Sequence, residues 1–409
     1  MSADAVHRTR IDTRPGRTSL VLGLSLAVAV LAGGLAYRGL HTIRTSKEGR
    51  TAAGASVSVQ QLPLTPAYLI MAIDRTRRPV SFAVLAPAAA GGGTVVILPA
   101  TARVQLKASA QPERLSDAFA RGGAAEQTSA VARYLGVEFA GSYAADEALL
   151  TTILTPYAPV DVTLDAPVLD TDDKKSDRVL HPAGPVTLSA EAIAQLMLAR
   201  ADGESEDVRL PRLDALWTAV AKRAPDVVPS AAPPGSVDSL LDGVLRGPHA
   251  IYRFAAVKVS DTARNPAGID LLDIDIIDIR TKMAQMLPGA VSSADSNVRV
   301  EIRDPFHNPT LVRDTVTLLT FLGAHVVFIH ETTEPPLPTT TVQYQNSSNR
   351  APADFLANNM QKPAAQLAPS PIENIDVTIV LGTDMRDESA ARIATSTPST
   401  ATVGSTTKP

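Results

Sequence analysis

The stretch RLSDAFARGGAAEQTSAVARYLGVEFAGSYAADEALLTTILTPYAPVDVTL, residues 114–164, changes period more than once. Residues 126–135 and 145–154 place apolar side chains three and four apart, as a helix with one buried face does. VDVTL at 160–164 alternates instead, the mark of a half-buried strand. Upstream, residues 68–73, 81–86 and 94–98 are apolar runs separated by turn formers, among them Pro79, Pro87 and the triplet Gly91, Gly92, Gly93. Downstream, residues 190–200 repeat the helical spacing. Strands interleaved with helices in this way define an α/β or α+β domain.

Further out, APDVVPSAAPPGS at 224–236 predicts a long loop. DLLDIDIIDIR at 270–280 alternates Leu272, Ile274 and Ile276 with Asp273 and Asp275, so it predicts a half-exposed strand rather than a metal site. From residue 298 a compact unit begins: VRVEI, a helix over 311–322 ended by Gly323, then HVVFI, TTVQY and DVTIVLG. Two strands joined by a helix of that length suit a right-handed crossover. After residue 385 the chain turns to Ser, Thr, Ala and Pro, a composition that predicts disorder.

At the other end SLVLGLSLAVAVLAGGLAY, residues 19–37, carries no charge. As a helix it rises about 28 Å, the thickness of a bilayer's hydrocarbon core. Arg8, Arg10, Arg14 and Arg17 precede it; Arg38, Arg44, Lys47 and Arg50 follow, so charge alone leaves the orientation open. The short leading tail and large trailing chain favour an anchor with its bulk outside the cytoplasm. A cleaved signal peptide ending near Gly34-Leu35-Ala36 is the alternative.

Composition excludes several functions. The 409 residues suffice for about two domains. A formal net charge of −4 and 4% aromatic residues give nucleic acid neither basic face nor stacking platform. Without cysteine there is no disulfide, thiol nucleophile or thiolate zinc site. The glycine triplet lacks the Lys-Ser/Thr of a P-loop. The seven histidines lack ligand spacing, and no serine stands in a Gly-x-Ser-x-Gly elbow.

The order of segments resembles the LytR-CpsA-Psr family of cell-envelope proteins followed by a LytR C-terminal domain. Residues 114–164 resemble that family's Gly-Gly, helix and strand segment. Residues 184–217 (GPVTLSAEAIAQLMLARADGESEDVRLPRLDALW) resemble its arginine-rich motif, and VRVEI, LGAHVV, TTVQY and DVTIVLGTD the C-terminal domain. The resemblance implies a mixed-sheet α/β fold with one N-terminal transmembrane helix and a small C-terminal α/β domain. The segments would be a cytoplasmic tail (1–18), transmembrane helix (19–40), stalk (41–66), extracytoplasmic domain (67–296), LytR C-terminal-like domain (297–385) and disordered tail (386–409). It also implies transfer of glycopolymers from polyprenyl-pyrophosphate carriers to the wall, with arginines, aspartates and magnesium.

Carried over residue by residue, the resemblance marks Arg200, Arg209 and Arg212 as phosphate-binding candidates, and Asp74 and Asp207 as site carboxylates. The bland readings are a solvated, ion-paired loop for the arginines and a turn residue for Asp74. Departures are as informative. Val80, Thr101 and Ala100 stand where the pattern has two aspartates and an arginine, and Leu198 replaces another arginine. Phosphoryl transfer relies on a complete charge clamp. Its loss predicts a degenerate domain that binds a lipid-linked glycan or peptidoglycan at the membrane. The alternative is an active magnesium-dependent phosphotransferase.

Overall fold

The computed structural model describes residues 59–104, 111–171, 177–201, 203–226, 233, 235–292 and 298–396. The expected tail, membrane helix and most of the stalk lie outside the described residues. Among the described residues no helix is long and apolar enough to cross a membrane. The described residues from Gln60 onward form one compact unit built on two five-stranded sheets.

The first sheet begins with strands β1 Ala67–Ile73, β2 Pro79–Pro87 and β3 Gly93–Pro99. Helix α1 Ala118–Leu135, broken at Gly122 and Gly123, leads to β4 Phe139–Ala145 and α2 Glu147–Leu154. A hairpin, β5 Val160–Leu164 and β6 Gly184–Leu188, precedes helices α3 Ala190–Leu198, α4 Glu206–Arg223 and α5 Val237–Leu245. Strand β7 His249–Arg253 returns to the sheet, giving the order β7-β3-β2-β1-β4. The β1–β2 and β2–β3 pairs are antiparallel, whereas β4 and β7 join the edges in parallel. Gly92 makes the last pairing possible. A Cβ there would lie 2.0 Å from Pro248 O, and its φ of +77° suits glycine.

Both faces of the sheet's centre are covered, which is why β1, β2 and β3 read as unbroken apolar runs. Ile70, Leu85 and Ile97 pack under α2, α3, α4 and α5, with Trp217 in the same cluster. Leu69, Val84 and Val96 face α1 and a later helix. Each such side chain contributes about 1.5–3 kcal/mol on burial.

That later helix corrects the reading of 270–280. Short strands β8 Ala256–Lys258 and β9 Leu272–Ile274 pair, but the chain then enters α6 Ile276–Met286. Asp275 caps it, accepting from Ile277 N at 2.9 Å. Ile279 and Met283, four apart, reach the first core, and Ala284 belongs to the second. A capping aspartate inside an alternating pattern hid the change of period.

The second sheet carries β10 Arg299–Asp304, β11 His325–Glu331, β12 Thr341–Tyr344, β13 Gln366–Leu367 and β14 Val377–Val380, ordered β11-β10-β14-β12-β13. Helix α7 Pro309–Phe321 makes the parallel crossover from β10 to β11. Helix α8 Arg350–Asn359 packs on the same core. The tail expected to be disordered from residue 386 is helical at first: α9 spans Thr383–Ser396. Buried Met385, an ion pair from Lys362 to Glu388, and Ser389 bonded to Asp314 hold it down. These contacts come from elements distant in sequence, so composition could not show them.

Candidate functional site

A cleft of about 1190 Å³ opens where the β1–β2 turn, the start of α1, the end of α3 and the segment before β9 meet. Its walls mix charge with apolar surface from Phe119, Leu180 and Leu198.

The turn DRTRR, residues 74–78, forms one rim. Asp74 organises it: its main-chain carbonyl accepts from Arg77 N at 2.9 Å, and its N donates to Arg78 O at 2.9 Å. The carboxylate accepts from Thr76 Oγ1 at 2.8 and 3.0 Å and from Arg78 N at 2.8 Å. Arg77 is thereby held at φ +60°, a left-handed conformation that costs an L residue about 1–2 kcal/mol. Arg75 pairs with Glu147 at 3.3 Å. Arg77 and Arg78 are exposed and line the cleft, and their guanidinium groups donate to no side chain or carbonyl among the described residues. Arg178 and Lys258 line the cleft in the same unpaired state. Sequence reasoning passes over these four; three arginines within four residues on a short turn between apolar strands was the available signal.

The floor is different. Arg209 is fully buried, and its guanidinium is spent inside the protein. It donates to Met197 O at 2.7 Å, to Ala199 O at 3.1 Å, to Val80 O, and to Glu206 Oε1 at 3.1 Å. Met197 and Ala199 close helix α3, whose last carbonyls have no helical partners, so Arg209 caps that helix and ties it to β2. Burial lowers the Arg209 pKa, against the pull of Glu206. Arg212 also donates to Ala199 O, at 2.9 Å, and forks onto Glu204 at 2.7 and 3.2 Å. Arg200 lines the cleft but holds Asp270 at 2.9 Å.

The structure therefore brings Asp74 and Arg200 to the cleft, puts Arg209 and Arg212 behind it, and leaves Asp207 exposed on α4 away from the lining. The replaced positions fit the same picture. Ala100 N donates to Glu206 Oε1 at 3.3 Å, and Thr101 is buried. Val80 supplies its carbonyl to Arg209, and Leu198 adds apolar wall.

Magnesium takes a near-octahedral oxygen set, commonly one or two carboxylates with phosphate oxygens. Asp74 already serves three hydrogen bonds of its own turn, Asp270 serves Arg200 and Glu206 N, and Asp117 accepts from Arg114 N. Among the described residues no three acidic or histidine side chains converge. Apart from Asp270 Oδ1, which is buried without a hydrogen-bond partner, these carboxylates are engaged by the protein itself, so the described residues offer no preformed metal cluster.

The sequence matches no family model and no curated protein. Solved structures do match. TagV of B. subtilis is 14% identical with a TM-score of 0.40, over 54% of this chain and 96% of that one. TagT bound to LIIa-WTA is 14% identical with a TM-score of 0.41, over 56% and 93%. The LytR-CPS2A-psr family protein YwtF (TagT) with bound octaprenyl pyrophosphate lipid is 14% identical with a TM-score of 0.39, over 54% and 88%. The sequence motifs resemble the same family. At such identities and TM-scores the likeness gives no residue of this chain a role.

Proposed function

We propose that this protein is a membrane-anchored cell-envelope protein whose cleft binds a lipid-linked, pyrophosphate-bearing glycan without transferring it. One observation carries the binding: two unpaired guanidinium groups, Arg77 and Arg78, on a braced turn at the rim of a large, partly apolar cleft. Guanidinium forks suit phosphate oxygens, and the apolar wall suits a prenyl chain. Transfer would need a complete clamp of cations and metal around the leaving group. Here the floor arginines are neutralised by the chain's own carboxylates, and no preformed cluster of metal donors stands among the described residues. That favours the binding reading over a magnesium-dependent phosphotransferase.

The test uses the full-length protein in detergent micelles with a polyprenyl pyrophosphate, titrated with and without magnesium. Saturable binding is expected, weakened about tenfold or more in R77A/R78A, since a hydrogen bond to a charged group is worth about 1.5–3 kcal/mol. No binding, or none of that loss, overturns the reading. Magnesium-dependent release of lipid phosphate would restore the transferase.

The anchor rests on the uncharged residues 19–37, and an extracytoplasmic bulk on the resemblance. Residues 298–396, with their own sheet and core, read as a module of LytR C-terminal type. Because the chain has no cysteine, single cysteines at Ser2 and Ser348 can report topology. An impermeant thiol reagent on intact cells should label S348C alone; labelling of S2C instead would invert the orientation.

A further inference from the structure

Glu204 lines the cleft and Arg212 does not. The Glu204 carboxylate receives both terminal nitrogens of Arg212, at 2.7 and 3.2 Å, and their side chains are 12% and 9% exposed. Arg212 Nε is buried with no hydrogen-bond partner among the described residues. Glu204 is itself fixed from two sides. Its N donates to Ala201 O at 3.0 Å in a turn that Gly203 completes at φ +75°, and its main-chain carbonyl accepts from Arg200 Nε at 3.2 Å.

A two-oxygen carboxylate in a guanidinium fork has the geometry of a phosphate in that fork. Glu206 plays a different part, because it is fully buried and holds Arg209 and Ala100 N. Glu204 stands between the cleft and a cation that could otherwise read a ligand.

We propose that Glu204 sets which anion the cleft takes. By filling the Arg212 fork it takes that cation out of the cleft, so a second phosphate reaching Glu204 meets a carboxylate rather than a guanidinium, and anion recognition is left to the unpaired Arg77, Arg78, Arg178 and Lys258. The assignment rests on the reading of the cleft as a phosphate-anion site. It predicts that pyrophosphate has little advantage over monophosphate in the native chain. Removing the Glu204 charge frees Arg212 and creates that advantage.

The experiment is calorimetric titration of the full-length protein with inorganic phosphate and inorganic pyrophosphate. E204Q should tighten pyrophosphate about tenfold more than phosphate, the size of one added charge-assisted contact. E204Q/R212Q should lose that gain. An unchanged ratio in E204Q overturns the assignment, as does a gain that survives in E204Q/R212Q, which would be mere removal of negative charge. Thermal melts run alongside; if both E204Q and E204A lose a cooperative transition, Glu204 is a structural clamp and the assignment fails. A native protein that binds neither anion, with R77A/R78A no different, sinks the cleft reading itself.

Discussion

The rim and the floor of the cleft hold the same kind of side chain in opposite states. On the rim, the guanidinium groups of Arg77 and Arg78 are exposed and unpaired on a turn whose only carboxylate, Asp74, is taken up by Thr76 Oγ1 and Arg78 N. On the floor, Arg200, Arg209 and Arg212 face Asp270, Glu206 and Glu204, and two of them also cap helix α3. An arginine's charge is available to a ligand only where the chain has not already used its donors. Local carboxylate spacing decides this as much as the arginine's position. Glu206 and Arg209 stand three apart on one helix, and that spacing brings them together.

The largest effect expected from this contrast is on stability. R209M would remove a guanidinium with no exposed surface and leave Glu206 buried without its main counter-charge, with the Met197 and Val80 carbonyls losing the guanidinium donor and Ala199 O keeping only that of Arg212. Breaking a buried pair by deleting one partner costs about 3–5 kcal/mol. Urea denaturation should show that loss for R209M, whereas R78A should stay within about 0.5 kcal/mol, as exposed substitutions do. A loss below about 1 kcal/mol for R209M would erase the distinction.

The fold was more legible than the site. Strands β1, β2 and β3 were readable because both faces of the sheet are covered, so their apolar runs stand out between turn residues. α6 was not, because Asp275 serves as a helix cap while continuing an alternating pattern. In the site, Asp74 at a strand end was readable as a turn residue, the role its hydrogen bonds show. The burial of Arg209 was not. It depends on Val80, 129 positions away, and on the end of a helix laid against α4. The rim arginines were visible as composition, but only the absence of partners gives them meaning, and that is a three-dimensional fact.

The smallest effect tests whether the rim is braced or merely charged. Asp74 holds Arg77 in a left-handed conformation through its own main chain and through bonds to Thr76 and Arg78 N. D74A removes the side-chain bonds and should cost about 1 kcal/mol, the net worth of a hydrogen bond. Anion affinity should fall a few-fold as the two guanidinium groups lose their shared orientation. D74N keeps an acceptor for Arg78 N and should recover most of the stability. Because it also deletes a negative charge beside the ligand, its affinity should match or exceed the native value. Measured together by denaturation and pyrophosphate titration, the two variants separate bracing from contact. If D74N binds as poorly as D74A while remaining fully stable, the carboxylate itself meets the ligand or a metal. The rim would then be an active centre rather than a cationic edge, and the contrast with the floor would have to be redrawn around Asp74.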